Sequence, residues 1–248
     1  MSDRSFGRSP APAWMRPLTE RLSPTIRNLV IAEAVLFGLY VMANPLRAPM
    51  AKHLALGPLV AAGEFWQPAT ALFVHLDFWS FLFDLIGLWF VGATIERALG
   101  RRRFLLIFFG AGLAANVAVA LLASALGWAG IFAGCGDAVL AIFVALGVLY
   151  GRTPVRVFGS LVLQARILTW VLVGMSVFSA LLQSAWPSLA GTLVATGLGY
   201  VLAGGKIGPL LAVILTFLTF LARWGRKRRG TFEVLEGGRS KPHKTYVN

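Results

Sequence analysis

Six long apolar runs alternate with short polar or basic stretches along the chain, at residues 28–45, 78–95, 104–127, 133–150, 167–183 and 188–204. A bilayer core about 30 Å thick takes roughly 20 apolar residues per helix. Within lipid, backbone groups must satisfy one another, which leaves helices as the natural spanning form for runs of this length. The pattern predicts an all-α, polytopic membrane helix bundle with a six-transmembrane core.

The stretches between the runs divide the chain into three parts. Residues 1–27 form a basic amino-terminal segment with no apolar core, so no cleaved leader is expected. Residues 28–205 hold the six-helix membrane domain, and residues 206–248 carry a further hydrophobic stretch and a basic tail. Within the domain, the long connection over residues 46–77 is too apolar ("HLALGPLVAAGEFW") for a free linker, and is expected to lie in the membrane interface, partly helical. Trp66 and Trp79 suit the headgroup depth at which amphipathic rings concentrate. The stretch 207–222, "IGPLLAVILTFLTFLA", is bracketed by Lys206 and Arg223. It reads as an interfacial or hairpin-like helix in preference to a seventh span.

Composition agrees with this pattern. The 248 residues are 57% hydrophobic and only 13% charged, against roughly a quarter charged in soluble domains, and the mean hydropathy is +0.74. The net charge of +13 would suit nucleic acid, but its distribution points elsewhere. With the amino terminus in the cytoplasm, all of the 23 basic residues except Arg47 and Lys52 fall on the cytoplasmic side. That is the positive-inside asymmetry of a bacterial-type cytoplasmic (inner) membrane protein. It implies contact with anionic lipid and argues against nucleic acid. The single cysteine excludes an internal disulfide and a multi-cysteine metal site. No metal or cofactor is expected.

Candidate chemistry sits where polar groups enter the apolar runs. A carboxylate at a helix centre costs about 2.5–3.5 kcal/mol on insertion scales. Asp84 lies well inside the second run and is expected to be protonated or paired with a neighbouring helix. Asp137 stands near a helix start, where its carboxylate can accept free backbone N–H groups. Cys135, flanked by glycines in "FAGCGDAVLA", is placed like a reactive nucleophile, but the bland alternative is a small residue packed at a helix crossing.

Taken together, these stretches resemble the rhomboid family of intramembrane serine proteases. "FVHLDFWSFLFDLIGLWFVGATIERALGRRRFLL" is similar to the family's second helix and following loop. The family pattern there is His, four residues, His, three residues, Asn, then a Glu before a basic turn. His75 and Glu96 match it, Ser80 stands at the second histidine and Asp84 at the asparagine. Trp66 matches an outer-loop tryptophan, while Gln67 replaces the adjoining arginine. "AGCG" is similar to the family's Gly-x-Ser-Gly, with Cys135 at the nucleophile position and Gly136 beside it. Ser188 stands where the sixth helix carries the general-base histidine, and Gly191 matches a glycine that lets the fourth and sixth helices approach.

The resemblance implies acyl transfer by a Ser–His dyad in the intact family, with Ser80, Asp84 and Gly136 at oxyanion-stabilising positions. Here no catalytic set is intact. A hydroxyl at Ser188 cannot serve as base near neutral pH, and an ionised Asp84 would repel the oxyanion. His75 and Glu96, with Trp66 and Gly191, read as fold-supporting matches. The expected function is that of a pseudoprotease binding transmembrane segments of client proteins. An active enzyme using Cys135 assisted by His75, Asp84 or water is the alternative, and a transporter titrating Asp84 a distant third.

Overall fold

The computed structural model describes residues 23–42, 44–157 and 161–206. The expectations for residues 1–22 and 207–248, including the interfacial helix over 207–222, lie outside the described residues. Helices occupy the positions of the six apolar runs: α1 (Pro24–Met42), α4 (Phe78–Leu99), α5 (Arg101–Leu126), α6 (Gly136–Leu149), α7 (Ala165–Leu182) and α8 (Trp186–Leu202). Among the described residues, four of them, α1, α4, α5 and α7, are long and apolar enough to cross a membrane. The first begins four residues earlier than its apolar run and ends before Asn44 and Pro45. The long connection is partly helical, with α2 (Asn44–His53), a 3-10 turn at Pro58–Val60 and the short α3 (Gln67–Thr70). A small antiparallel hairpin, β1 (Pro154–Val157) with β2 (Leu161–Gln164), joins α6 to α7.

Helices α5, α6 and α8 pack against one another at the centre, and α7 lies against α6 and α8. Close packing here comes from small residues, because lipid provides no hydrophobic drive between helices. A Cβ at Gly199 would lie 2.6 Å from the Ala141 carbonyl oxygen, so α8 touches the α6 backbone directly at that point. Earlier on the same helix, a Cβ at Gly191 would meet both Asp137 and Val119 at 2.7 Å. The glycine expected to admit a close approach of α8 does so against α5 and α6 together.

Helices α4 and α5 each contain a π-helical turn, at Leu88–Gly92 and Leu106–Ala111. The first sits where Gly87 and Gly92 let Val139 and Ile26 pack against α4. Helix α6 has 14 residues and is about 21 Å long at 1.5 Å per residue, well short of a 30 Å apolar slab. Its Cys135 end is the one enclosed by protein, since Cys135 is 1% exposed while Leu149 at the other end is exposed. The polar residues at that end therefore lie recessed in the bundle.

Candidate functional site

The site forms where the loop before α6 meets α4. Gly134 adopts φ +104°, a left-handed conformation that favours glycine, and its N–H donates to the Ala71 carbonyl at 2.9 Å. That bend sets Cys135 at the helix entrance, with the Val139 N–H donating to its carbonyl at 2.8 Å. A Cβ at Gly134 would lie 3.3 Å from both Asp84 Oδ2 and Ser80 Oγ, and 3.4 Å from His75 Cδ2. Gly136 also faces Asp84. The structure thus gathers His75, Ser80, Asp84, Cys135 and Gly136, five positions read from the sequence, around one glycine-rich bend.

His75 is buried at 1% exposure, and its Nε2 donates to Asp84 Oδ2 at 3.2 Å. Asp84 thus pairs with a residue on the turn before its own helix and also meets the Cys135 thiol at the start of the neighbouring α6. Nδ1 of the same ring lies 3.4 Å from Glu33 Oε2, although the two do not meet in hydrogen-bonding geometry. Sγ of Cys135, a ring nitrogen of His75 and a carboxylate oxygen of Glu33 all fall within 4.8 Å of one another.

Glu33 is the residue sequence reasoning missed. It continues the buried stripe Ile26, Leu29, Glu33 along α1, spaced as one helix face requires. The argument applied to Asp84 covers it equally, because an acid inside an apolar run needs a partner. "NLVIAEAVLFGLYV" carried that signal.

Asp137 departs from expectation. Its carboxylate caps no backbone N–H but accepts from the Thr192 hydroxyl on α8 at 3.3 Å, because α8 crosses close enough at Gly191 to supply a donor. Ser188 is half-buried in the first turn of α8, one turn before Gly191, and no described hydrogen bond ties it to the cysteine cluster. A cavity of about 250 Å³ lies away from this chemistry, lined by Leu56, Val119, Ala123 and Trp128 between the long connection and the end of α5.

The remaining matched residues hold the scaffold. Glu96 is buried and accepts from the Ser23 hydroxyl, which also caps α1 by accepting the Ile26 N–H at 3.2 Å. Trp66 is exposed and donates from Nε1 to the His53 carbonyl at 2.9 Å. Gln67 is fully buried and ties the connection together. Its oxygen accepts from the Gly57 N–H at 2.8 Å, and its nitrogen donates to the Lys52 carbonyl at 3.1 Å and to Glu64 at 2.8 Å.

Residues 62–205 match the family model of the rhomboid domain. Over 136 residues, 52% of its length, the chain is 29% identical to rhomboid protease GluP of Bacillus subtilis (strain 168), covering 27% of that protein. Over 100 residues it is 32% identical to putative rhomboid protease YdcA of the same organism, covering 39% of this chain and 49% of that one. The chain thus spans no more than about half the length of these relatives.

Proposed function

The chain belongs to the rhomboid family, and from that premise we propose that it is a non-proteolytic member whose cleft binds transmembrane segments of other membrane proteins. The observation that carries this reading is the surroundings of Cys135. At the nucleophile position stands a thiol 1% exposed, facing Asp84 and Glu33 rather than an unencumbered base. Two carboxylates beside it oppose both the thiolate that would attack and the oxyanion that attack would create. A positioned general base is typically worth 10²–10⁴-fold in rate, and the hydroxyl of Ser188 supplies none.

Binding has support in the surface that remains. Helices α4 and α7 both pack on α6 and share no more than marginal contact among the described residues. Each presents large exposed apolar side chains, including Phe83 and Phe90 on α4 and Met175 and Phe178 on α7. A single-span helix entering between them would meet the polar cluster at Gly134, where a client's mid-helix polar group finds partners. The distribution of basic residues along the sequence supports a cytoplasmic amino terminus in a bacterial-type inner membrane and attraction to anionic lipid.

Photo-crosslinkers installed at Phe83 and Met175 test the reading. A single-span synthetic peptide with a polar residue at mid-helix is expected to crosslink at both positions. A crosslinker on α1 at Val35, which is also exposed, reports non-specific contact. Equal yields from all three positions would sink the proposal.

One observation favours the rival reading, cleavage by cysteine chemistry, since a His75 ring nitrogen lies within 4.8 Å of the sulfur. Both relatives are named as proteases or putative proteases. Against it, Nε2 of that ring is engaged by Asp84 and Nδ1 faces Glu33.

A further inference from the structure

Glu33 on α1, His75 on the turn before α4 and Cys135 at the start of α6 bring a carboxylate oxygen, a ring nitrogen and a sulfur within 4.8 Å of one another. Each side chain is about 1% exposed. We propose that these three residues bind a divalent cation of the zinc class.

The unpaired atoms of the cluster point to a ligand independently of its composition. Glu33 Oε1 and His75 Nδ1 are both buried without a hydrogen-bond partner among the described residues. A buried polar atom of this kind is costly and rare. Here two occur on adjacent side chains, Nδ1 being 3.4 Å from the other oxygen of the same carboxylate. A cation gives both lone pairs a partner at once.

The far side of the imidazole is arranged as a metal-bound histidine requires. Nε2 pairs with Asp84 Oδ2 at 3.2 Å, and the tautomer with its proton on that nitrogen keeps the Nδ1 lone pair free. A carboxylate orienting a ligating histidine through its other nitrogen is the recurring outer shell of zinc sites. Asp84 thereby gains a role other than oxyanion stabilisation.

Charge and donor type select the ion. A thiolate, a carboxylate and a neutral imidazole together carry two negative charges, which a divalent cation cancels within an apolar bundle. Calcium and magnesium favour all-oxygen sets, whereas a sulfur, nitrogen and oxygen set suits zinc. Tetrahedral zinc would draw the three atoms to about 3.3–3.6 Å of one another, a modest contraction. A mixed set of this kind is invisible to a count of cysteines, which is why the sequence raised no expectation of a metal. The ion would join three segments distant in sequence and would engage the sulfur at the nucleophile position. This inference goes beyond the proposed function, and proteolytic inertness stands or falls separately.

Cobalt provides the probe. The full chain, purified in detergent through a histidine-free tag and stripped with chelator, is titrated with Co2+. One equivalent is expected, with a near-ultraviolet thiolate-to-cobalt charge-transfer band that Zn2+ abolishes. Because the chain has a single cysteine, that band reports on Cys135 alone. Cys135→Ser is expected to remove it, Glu33→Gln to weaken binding roughly tenfold or more, and His53→Ala to change neither. Wild-type protein without the band, or affinity unaltered in Glu33→Gln, would overturn the proposal. The wild-type reading decides the matter if a variant does not fold.

Discussion

Asp84 Oδ2 accepts the Nε2–H of His75 at 3.2 Å, inside a bundle where His75 is almost wholly buried. The pair links the turn before α4 to the second turn of that helix, directly beside the bend at Gly134. Removing the acceptor leaves a buried N–H without a partner, at a cost of about 1–3 kcal/mol. Asp84→Ala is expected to lower the unfolding temperature in detergent clearly, and Asp84→Asn, which keeps an acceptor oxygen, by less than half as much. Intrinsic tryptophan fluorescence follows both. Equal shifts would show that the hydrogen bond contributes little.

Helix α8 depends on bare glycine at a second point. A Cβ at Gly199 would stand 2.6 Å from the Ala141 carbonyl oxygen and 2.8 Å from its Cα, so Gly199→Ala must push α8 off α6. The expected loss is about 1–3 kcal/mol, in the range of overpacked cores. At Gly174 on α7 an added Cβ would meet nothing within 4 Å, and Gly174→Ala should leave stability unchanged or raised. Thermal unfolding of the two variants side by side separates packing from helix propensity.

The long connection hangs on Gln67. Gln67→Ala would orphan the Gly57 N–H and the Lys52 carbonyl, costing about 2–4 kcal/mol. Limited proteolysis is expected to cut between residues 44 and 66 in this variant at protease levels that spare the wild type. An unchanged digestion pattern would mean that Trp66 and Thr70, which donate to the His53 and Leu54 carbonyls, suffice alone.

Acid should loosen the same connection. Desolvation raises the Glu64 carboxyl, but hydrogen bonds from His53 and Gln67 and the nearby Lys52 charge outweigh it and hold the group below its ordinary 4.5. A depressed carboxylate stabilises the fold above its unfolded value and loses that contribution as pH falls through the lowered one. Proteolytic sensitivity between residues 44 and 66 is therefore expected to rise as pH drops below about 4.5. Glu64→Gln should flatten the response, and a profile identical to wild type would count against this origin.

What the sequence made legible follows from what kind of signal each feature leaves. Apolar runs longer than 15 residues admit one structure in lipid, so the six helices were readable while their ends were not. The α6 start was visible as a glycine-flanked cysteine ahead of an apolar run, and His75, Ser80 and Asp84 were visible because they fall at the positions of the family pattern. Glu33 was legible in principle, as an acid on the buried stripe of α1, but it belonged to no matched motif. The Asp137–Thr192 contact depends on how closely α8 crosses, a tertiary quantity that no local pattern encodes. Gln67 stands out in the sequence as a replaced arginine, yet its hydrogen bonds join three points of the connection that sequence spacing leaves unrelated.

Cleavage itself gives the most direct test of the central claim. Purified wild type and Cys135→Ala are reconstituted in liposomes with a labile single-span substrate, and products are followed by mass spectrometry over many hours. The account predicts no cleaved product from either protein. A product formed by the wild type and lost in Cys135→Ala would contradict it.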